Sequence, residues 1–205
     1  MNNREWKQFI LQWSEKVAAQ NLDEYAGERR SFDKEHGFGT KGASEESIVE
    51  VENKLGTKLP PSYREFLKAS NGLHQPVESM ATTGGDFWPA EEVDWFRVRN
   101  QWWIDCWTDE TEPETPDAEY FVYGPDQDCC AMRPEYLKTA LEISHDGDAG
   151  IYLLNPEVKD ANGEWEAMHL ASWMPGIERF RSFHEMMQEH YTRLESDEET
   201  QCFGF

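Results

Sequence analysis

One stretch of this 205-residue chain decides how it folds: Leu59-Pro60-Pro61-Ser62-Tyr63-Arg64-Glu65-Phe66-Leu67, followed by Asn71-Gly72. A proline suits the first turn of a helix, because the N–H that it lacks would have no partner there. Tyr63, Phe66 and Leu67 then share one face at helical spacing, and Asn71-Gly72 favours a left-handed stop. The stretch therefore predicts a short helix that packs an aromatic face into a core.

Two further helices are predicted before this stretch. Ser44 is a suitable N-cap and Gly56 a suitable C-terminal stop for a helix over residues 44–55. Residues 22–43 are charged and rich in glycine, which is typical of a linker. Ahead of them, residues 4–20 predict an amphipathic helix, whose apolar stripe consists of Trp6, Phe9, Ile10, Trp13 and Val17.

The second half of the chain is predicted to supply a sheet. Alternating or short apolar runs indicate four strands, at residues 119–124, 139–144, 151–154 and 165–170. Residues 87–107 hold five of the nine tryptophans and predict turns and short helices, with a strand near 102–107. A last helix begins near Ser182. Helices that precede a sheet predict an α+β fold, with the helices on one face of a mixed or antiparallel sheet.

Negative charge is the strongest compositional feature. Forty-one acidic residues against nineteen basic residues give a net charge of −22, whereas a small domain typically carries a magnitude of about 2–8. Binding to DNA, RNA or an anionic membrane requires lysine and arginine, so these partners are disfavoured. A basic protein would be attracted, and its approach would be accelerated. The alternative is that the acidity serves solubility alone.

No motif predicts catalysis, a cofactor or a metal. The run Gly37–Gly42 has dinucleotide-binding spacing, but a charged segment precedes it where a buried strand is needed. Asp146-Gly147-Asp148 does not continue as a calcium loop, and His184-Glu185 lacks a second histidine one turn later. The four cysteines form no Cys-x-x-Cys pair, and the side chains of adjacent Cys129 and Cys130 would diverge in an extended chain.

An enzyme that uses a cysteine or a carboxylate pair remains an alternative to a non-catalytic protein. The chain has no run of 18 apolar residues, and its N-terminus does not resemble a signal peptide. We therefore expect a cytoplasmic protein.

The helical motif resembles that of the SUKH superfamily, which contains fungal cell-wall assembly regulators of the SMI/KNR type and bacterial immunity proteins. It is carried by Ser47–Glu52, Leu55-Gly56, Leu59–Leu67 and Asn71-Gly72. The later segments Leu141–Ser144, Asp146–Asp148, Ile151–Leu154 and Phe180–Tyr191 fit less specifically. The resemblance implies a SUKH-like domain over residues 44–195, an N-terminal helix and linker over 1–43, and an acidic tail over 196–205. The sequence leaves open whether residues 1–43 pack on the domain.

The resemblance implies binding rather than catalysis: an immunity protein that neutralises a toxin domain, of which nucleases are a common type. A nuclease cleft is commonly basic, which suits an acidic inhibitor. A regulatory scaffold of the SMI/KNR type is the alternative. Between Arg99 and Arg133 the chain has nine acids and no base. The predicted docking residues are the anchors Trp103 and Trp107 with the acids Asp105, Asp109, Glu110, Glu112, Glu114, Asp117 and Glu119. A solvated loop beside core tryptophans is the competing interpretation.

Overall fold

Five antiparallel strands form one sheet, and their order in space is their order in the chain. The computed structural model describes residues 1–19, 32–75, 85–108, 115–147 and 150–196. The strands are β1 (Asp94–Trp95), β2 (Leu141–Glu142), β3 (Gly150–Lys159), β4 (Trp165–Ala171) and β5 (Ile177–Phe180). The central pair is the longest, with Tyr152 of β3 opposite His169 of β4.

Seven α-helices lie in the described part of the chain. They are α1 (Asn3–Ala19), α2 (Glu45–Leu55), α3 (Pro61–Ala69), α4 (Phe96–Arg99), α5 (Gln101–Trp107), α6 (Asp117–Tyr120) and α7 (Phe183–Ser196). Short 3₁₀ turns occupy Ala90–Glu92, Gly124–Asp126 and Pro134–Lys138. The predicted α+β class is confirmed.

The predicted ends of α2 are also confirmed. Ser44 Oγ accepts a hydrogen bond from Ser47 N at 3.1 Å, which satisfies one of the first unpaired N–H groups of the helix. Gly56 ends the helix with φ at 71°, a left-handed conformation that favours glycine.

Strand β3 separates two hydrophobic cores, because alternate residues of a strand point to opposite faces of the sheet. Tyr152 and Leu154 belong to the first core, together with the apolar faces of α1, α2, α3 and α7. Ile151 and Leu153 belong to the second core, together with Phe96, Trp103 and Ile104 of α4 and α5. The long helices cover one face as predicted, and short helices cover the other face, which was not predicted.

The N-terminal helix packs directly on the domain. Trp6, Ile10, Trp13 and Val17 are buried in the first core with residues of α3 and α7. Residues 32–43 are also attached to this helix, since Phe38 is 7% exposed and its N–H donates to Ser14 Oγ at 2.9 Å. The helix and residues 32–43 therefore form part of one folded unit with the sheet.

The glycines of the predicted linker serve packing. A Cβ atom at Gly37 would lie 2.3 Å from Ser14 Oγ, and φ there is 64°. A Cβ atom at Gly42 would lie 1.9 Å from the Lys68 carbonyl oxygen. These close approaches to α1 and α3 explain why glycine is needed at both positions without any nucleotide.

Two predicted strands are wrong, and two observed strands were not predicted. Residues 102–107 form helix α5, and the predicted strand at 119–124 is instead the end of α6 followed by a turn. Strands β1 and β5 were missed. β5 has no apolar pattern because two of its four residues, Glu178 and Arg179, are charged. Both are nevertheless buried, through polar contacts with residues that are distant in the sequence.

Candidate docking surface on the second sheet face

The predicted docking residues all fall within residues 96–138, called the cover below. The described part of the cover, residues 96–108 and 115–138, lies over the second face of the sheet. The cover begins beside β2, where Phe96 N donates to the Ala140 carbonyl oxygen at 2.9 Å. In α5, Trp103 and Ile104 face the second core. The outward residues include Trp102 and Asp105, as expected of an amphipathic helix.

The two predicted tryptophan anchors face the core. Trp103 is only 4% exposed, and Trp107 is partly buried and packs on the second core. The large apolar side chains that are exposed on the described cover are Trp102, at 60%, Val98, at 61%, and Phe121, at 44%. A partner that binds this face without rearranging it would meet Trp102 rather than Trp103.

Arg133 fixes the second part of the cover. Its side chain is almost wholly buried, and its charge lies 4.6 Å from the centre of the Tyr120 ring. Its Nη2 donates to Asp117 Oδ1 at 2.5 Å and to the Thr115 carbonyl oxygen at 2.8 Å, and its Nη1 donates to Tyr136 Oη at 3.1 Å. Asp117 is therefore neutralised within the fold, although its own side chain is exposed.

A buried polar network attaches α6 to the sheet. The Glu166 carboxylate accepts hydrogen bonds from Tyr120 Oη at 2.6 Å, Tyr123 Oη at 2.9 Å and Asn155 Nδ2 at 2.8 Å. Burial, followed by the nearby Glu166 charge, raises the pKa of both tyrosines well above the usual range, so they remain proton donors.

The same network includes an arginine. The buried Arg179 side chain lies 4.2 Å from the centre of the Tyr120 ring and donates to the Tyr120 carbonyl oxygen. Sequence reasoning missed Arg179 and Glu166. For Glu166 the available signal was a charged residue inside a predicted strand, whereas β5 around Arg179 carries no apolar pattern. Such buried, hydrogen-bonded charges hold the cover in one position and leave the Glu166 carboxylate with three donors already bound.

The acids of the cover are exposed, and most are not neutralised. Five of the nine acids between Arg99 and Arg133 lie in the described residues, and all five are exposed: Asp105, Asp117, Glu119, Asp126 and Asp128. Among the ion pairs of the described residues, only Asp117 of these five has a basic partner. The predicted residues Asp109, Glu110, Glu112 and Glu114 lie outside the described residues.

Acids around the first core are arranged differently. Glu52 pairs with Lys58 at 2.7 Å and with Arg64 at 3.2 Å. Glu45 pairs with Arg64 and Lys68, and Asp94 pairs with Lys54 at 2.8 Å. Several acids on the α2–α3 side are thus neutralised by ion pairs, whereas four of the five described acids between Arg99 and Arg133 have no basic ion-pair partner among the described residues.

A histidine cluster between β4, β5 and α7 is buried in the first core. Glu178 pairs with Arg193 through both carboxylate oxygens, and His169 Nδ1 lies 4.0 Å from Glu178 Oε2. Burial alone would raise the pKa of Glu178, but the hydrogen bonds from His169 and Arg193 hold it well below its usual range. His190 is 2% exposed, and its burial lowers its pKa to about 3.

The His190 imidazole predicts a loss of stability in acid. An unfolded histidine takes up a proton below about pH 6.5, whereas folded His190 stays neutral until about pH 3. Protons therefore favour the unfolded chain, and this residue should remove about 2 kcal/mol of unfolding free energy between pH 7 and pH 5. Urea unfolding of the parent and of His190→Met at both pH values measures it. A parent and variant with the same pH dependence would contradict the assignment.

No helix of the described residues is long and apolar enough to cross a membrane. One group of side chains there has donor atoms close enough for a metal ion: Asp128, Cys129 and Cys130. It lies at the far end of the acidic part of the cover.

Comparison with known proteins confirms the predicted resemblance. Residues 42–192 match the model of the SMI1 / KNR4 family (SUKH-1), close to the range predicted from the sequence motifs. A search of curated proteins found no match to the chain. The matched range includes both cores' sheet residues and the whole cover, but it excludes helix α1.

Proposed function

Because the chain belongs to the SMI1 / KNR4 family (SUKH-1), we propose that it is a non-catalytic immunity protein that binds and neutralises a basic toxin domain of nuclease type. Membership of this family supports a protein-interaction or immunity-type role in general. The single observation that carries the finer proposal is the set of exposed, unpaired carboxylates on the cover, Asp105, Glu119, Asp126 and Asp128.

The cover offers the two kinds of contact that such a partner needs. A nuclease cleft attracts phosphates with basic side chains, and carboxylates at the same positions would occupy it in place of the substrate. Complementary charge speeds the encounter and excludes wrong partners, while buried aromatic area slows dissociation. On this surface Trp102 and Val98 supply exposed apolar area beside Asp105.

The attachment of the cover also favours tight binding. Arg133 holds Thr115 and Asp117, and Glu166 holds Tyr120 and Tyr123, so α6 is fixed before any partner arrives. A preorganised surface loses little conformational entropy on binding, which leaves more of the contact energy as affinity. Tyr120 and Tyr123, whose pKa values burial raises, serve this attachment.

The proposal is tested by capture from a lysate of the native host, with a salt gradient for elution and mass spectrometry for identification. The bait is the full chain, and a second bait carries Asp105→Lys, Glu119→Lys and Asp126→Lys. We expect a basic, nuclease-like protein that is retained by the parent, released at high salt and lost with the second bait. Its nuclease activity should fall as the parent protein is added in equimolar amount.

Two outcomes would contradict this function. Recovery of cell-envelope synthesis or signalling proteins in place of a toxin would favour the regulatory scaffold. A nuclease that binds both baits equally would show that the acidic cover is not the contact surface. A nuclease that stays active when saturated with the parent protein would show that binding does not neutralise it.

A further inference from the structure

The turn at Asp128–Cys130 brings two thiols and a carboxylate together. The sequence expectation was that the side chains of adjacent Cys129 and Cys130 diverge, as alternate residues of an extended chain do. The backbone here is a turn instead, and the two sulfur atoms and an Asp128 carboxylate oxygen all lie within 4.8 Å of one another. Both cysteines carry reduced thiols. The expectation of divergence is therefore wrong.

Two hydrogen bonds that involve main-chain atoms help to hold this turn. Asp128 Oδ1 accepts a hydrogen bond from Cys130 N at 2.8 Å, and the Cys129 carbonyl oxygen accepts one from Ile177 N at 3.0 Å. Gly176 lies so close that a Cβ atom there would be 2.0 Å from the Cys129 carbonyl oxygen. The donor atoms are thus positioned by the start of β5 before any ligand binds.

We propose that Asp128, Cys129 and Cys130 form a binding site for a thiophilic divalent cation of the zinc class. The two thiolates and one carboxylate oxygen supply three ligands, and water supplies the fourth. Tetrahedral zinc with Zn–S bonds of about 2.3 Å separates two sulfur ligands by about 3.7 Å. Donor atoms already within 4.8 Å reach that geometry through small side-chain rotations.

The Asp128 carboxylate gives this turn a negative charge that attracts a cation. Binding converts two thiols to thiolates, forms two metal–sulfur bonds and releases two protons to the solvent. The net charge of −22 adds a general attraction for cations.

Exposure differs between the ligands in a way that suits an open site. Cys129 is 9% exposed, whereas Cys130 and Asp128 are exposed and leave room for a water ligand. Cys130 Sγ also lies 3.9 Å from the Pro175 carbonyl oxygen, just before β5. A bound ion would therefore reinforce the contact between the cover and β5. This inference does not depend on the identity of the partner.

The test uses full-length Cys106→Ser/Cys202→Ser protein, which keeps only the adjacent thiols, after reduction and removal of metals. Cadmium is the probe, because its thiolate complexes absorb in the ultraviolet. We expect saturation at one equivalent, release of about two protons for each ion, and displacement of cadmium by zinc. Adding Cys130→Ser should weaken binding by at least about tenfold, and Asp128→Asn should weaken it less while keeping the acceptor for Cys130 N.

Far-ultraviolet circular dichroism confirms that each variant is folded before it is titrated. Absence of saturable cadmium binding in the protein with the two adjacent thiols would overturn the proposal. Equal affinity in the Cys130→Ser variant would also overturn it, because the ion would then be held elsewhere.

Discussion

Replacing Trp6 by alanine should lower the unfolding free energy by about 3–5 kcal/mol, the usual cost of removing a large buried aromatic side chain. Trp6 is wholly buried, and its ring contacts Phe66 of α3 and Phe183 of α7, both at 5.5 Å between ring centres. Truncation would leave a cavity where three helices meet. Urea unfolding followed by far-ultraviolet circular dichroism measures the change.

Trp102→Ala is the matched control for this prediction. The substitution is identical, but Trp102 is 60% exposed, so its effect should stay within about 0.5 kcal/mol. If Trp6→Ala lowers the unfolding free energy as little as Trp102→Ala does, α1 contributes little to the first core. A large loss for Trp6→Ala alone would show that the family-matched residues 42–192 depend on a helix that precedes them.

The parts of the fold that the sequence predicted are those with local patterns. Helices α1, α2, α3 and α7 each repeat apolar residues at helical spacing, and α2 carries its own cap and stop. Strands β3 and β4 are buried on both faces, so they read as short, nearly continuous apolar runs.

The parts that the sequence did not predict depend on distant contacts. Arg179 in β5 is stabilised by Tyr120 and Gln127, more than fifty residues earlier in the chain. The apolar run at 119–124 covers Glu166 and Arg179 with tyrosine rings and does not pair as a strand. From the sequence alone, the segment that contains Arg179 looks exposed. Residues 119–124, whose tyrosine rings pack on that arginine, look like a buried strand.

The two predicted tryptophan anchors face the second core because residues 102–107 form a helix and not the predicted strand. In a strand over 102–107, Trp103, Asp105 and Trp107 would share one face, so the anchors and an acid would lie together. In helix α5, Trp103 and Trp107 lie one turn apart and face the second core, whereas Trp102 and Asp105 are exposed. The exposure of Asp105, Asp117 and Glu119 could be predicted from charge alone, because carboxylates rarely lie fully buried without a partner.

Reversing the charge of three cover acids should slow association with the toxin by at least about tenfold at low salt. The variant carries Asp105→Lys, Glu119→Lys and Asp126→Lys, three exposed positions without an ion pair among the described residues. A basic cleft would then meet three positive side chains where it now meets carboxylates. Stopped-flow association with the captured toxin, at low and at physiological salt, measures the rate. Asp128 is left unchanged so that the proposed metal site stays intact.

The control variant changes the same amount of charge elsewhere. Glu50, Glu157 and Glu189 are also exposed and lie on α2, β3 and α7, outside the cover. Replacing all three by lysine gives the same net charge as the cover variant. At physiological salt, association should slow much less in this control than in the cover variant, since exposed charges farther than about 8–10 Å from a partner are then largely screened.

The comparison of these two variants separates local from global attraction. A protein with a net charge of −22 attracts any basic protein, so a slower rate in the cover variant alone is required to place the contact on the cover. Equal slowing in both variants would mean that net charge alone steers the encounter and that the contact surface lies elsewhere. Unchanged rates in both would remove electrostatic steering from the mechanism. Because Asp117 is neutralised by Arg133 inside the fold, it adds little to steering and is left out of the variant.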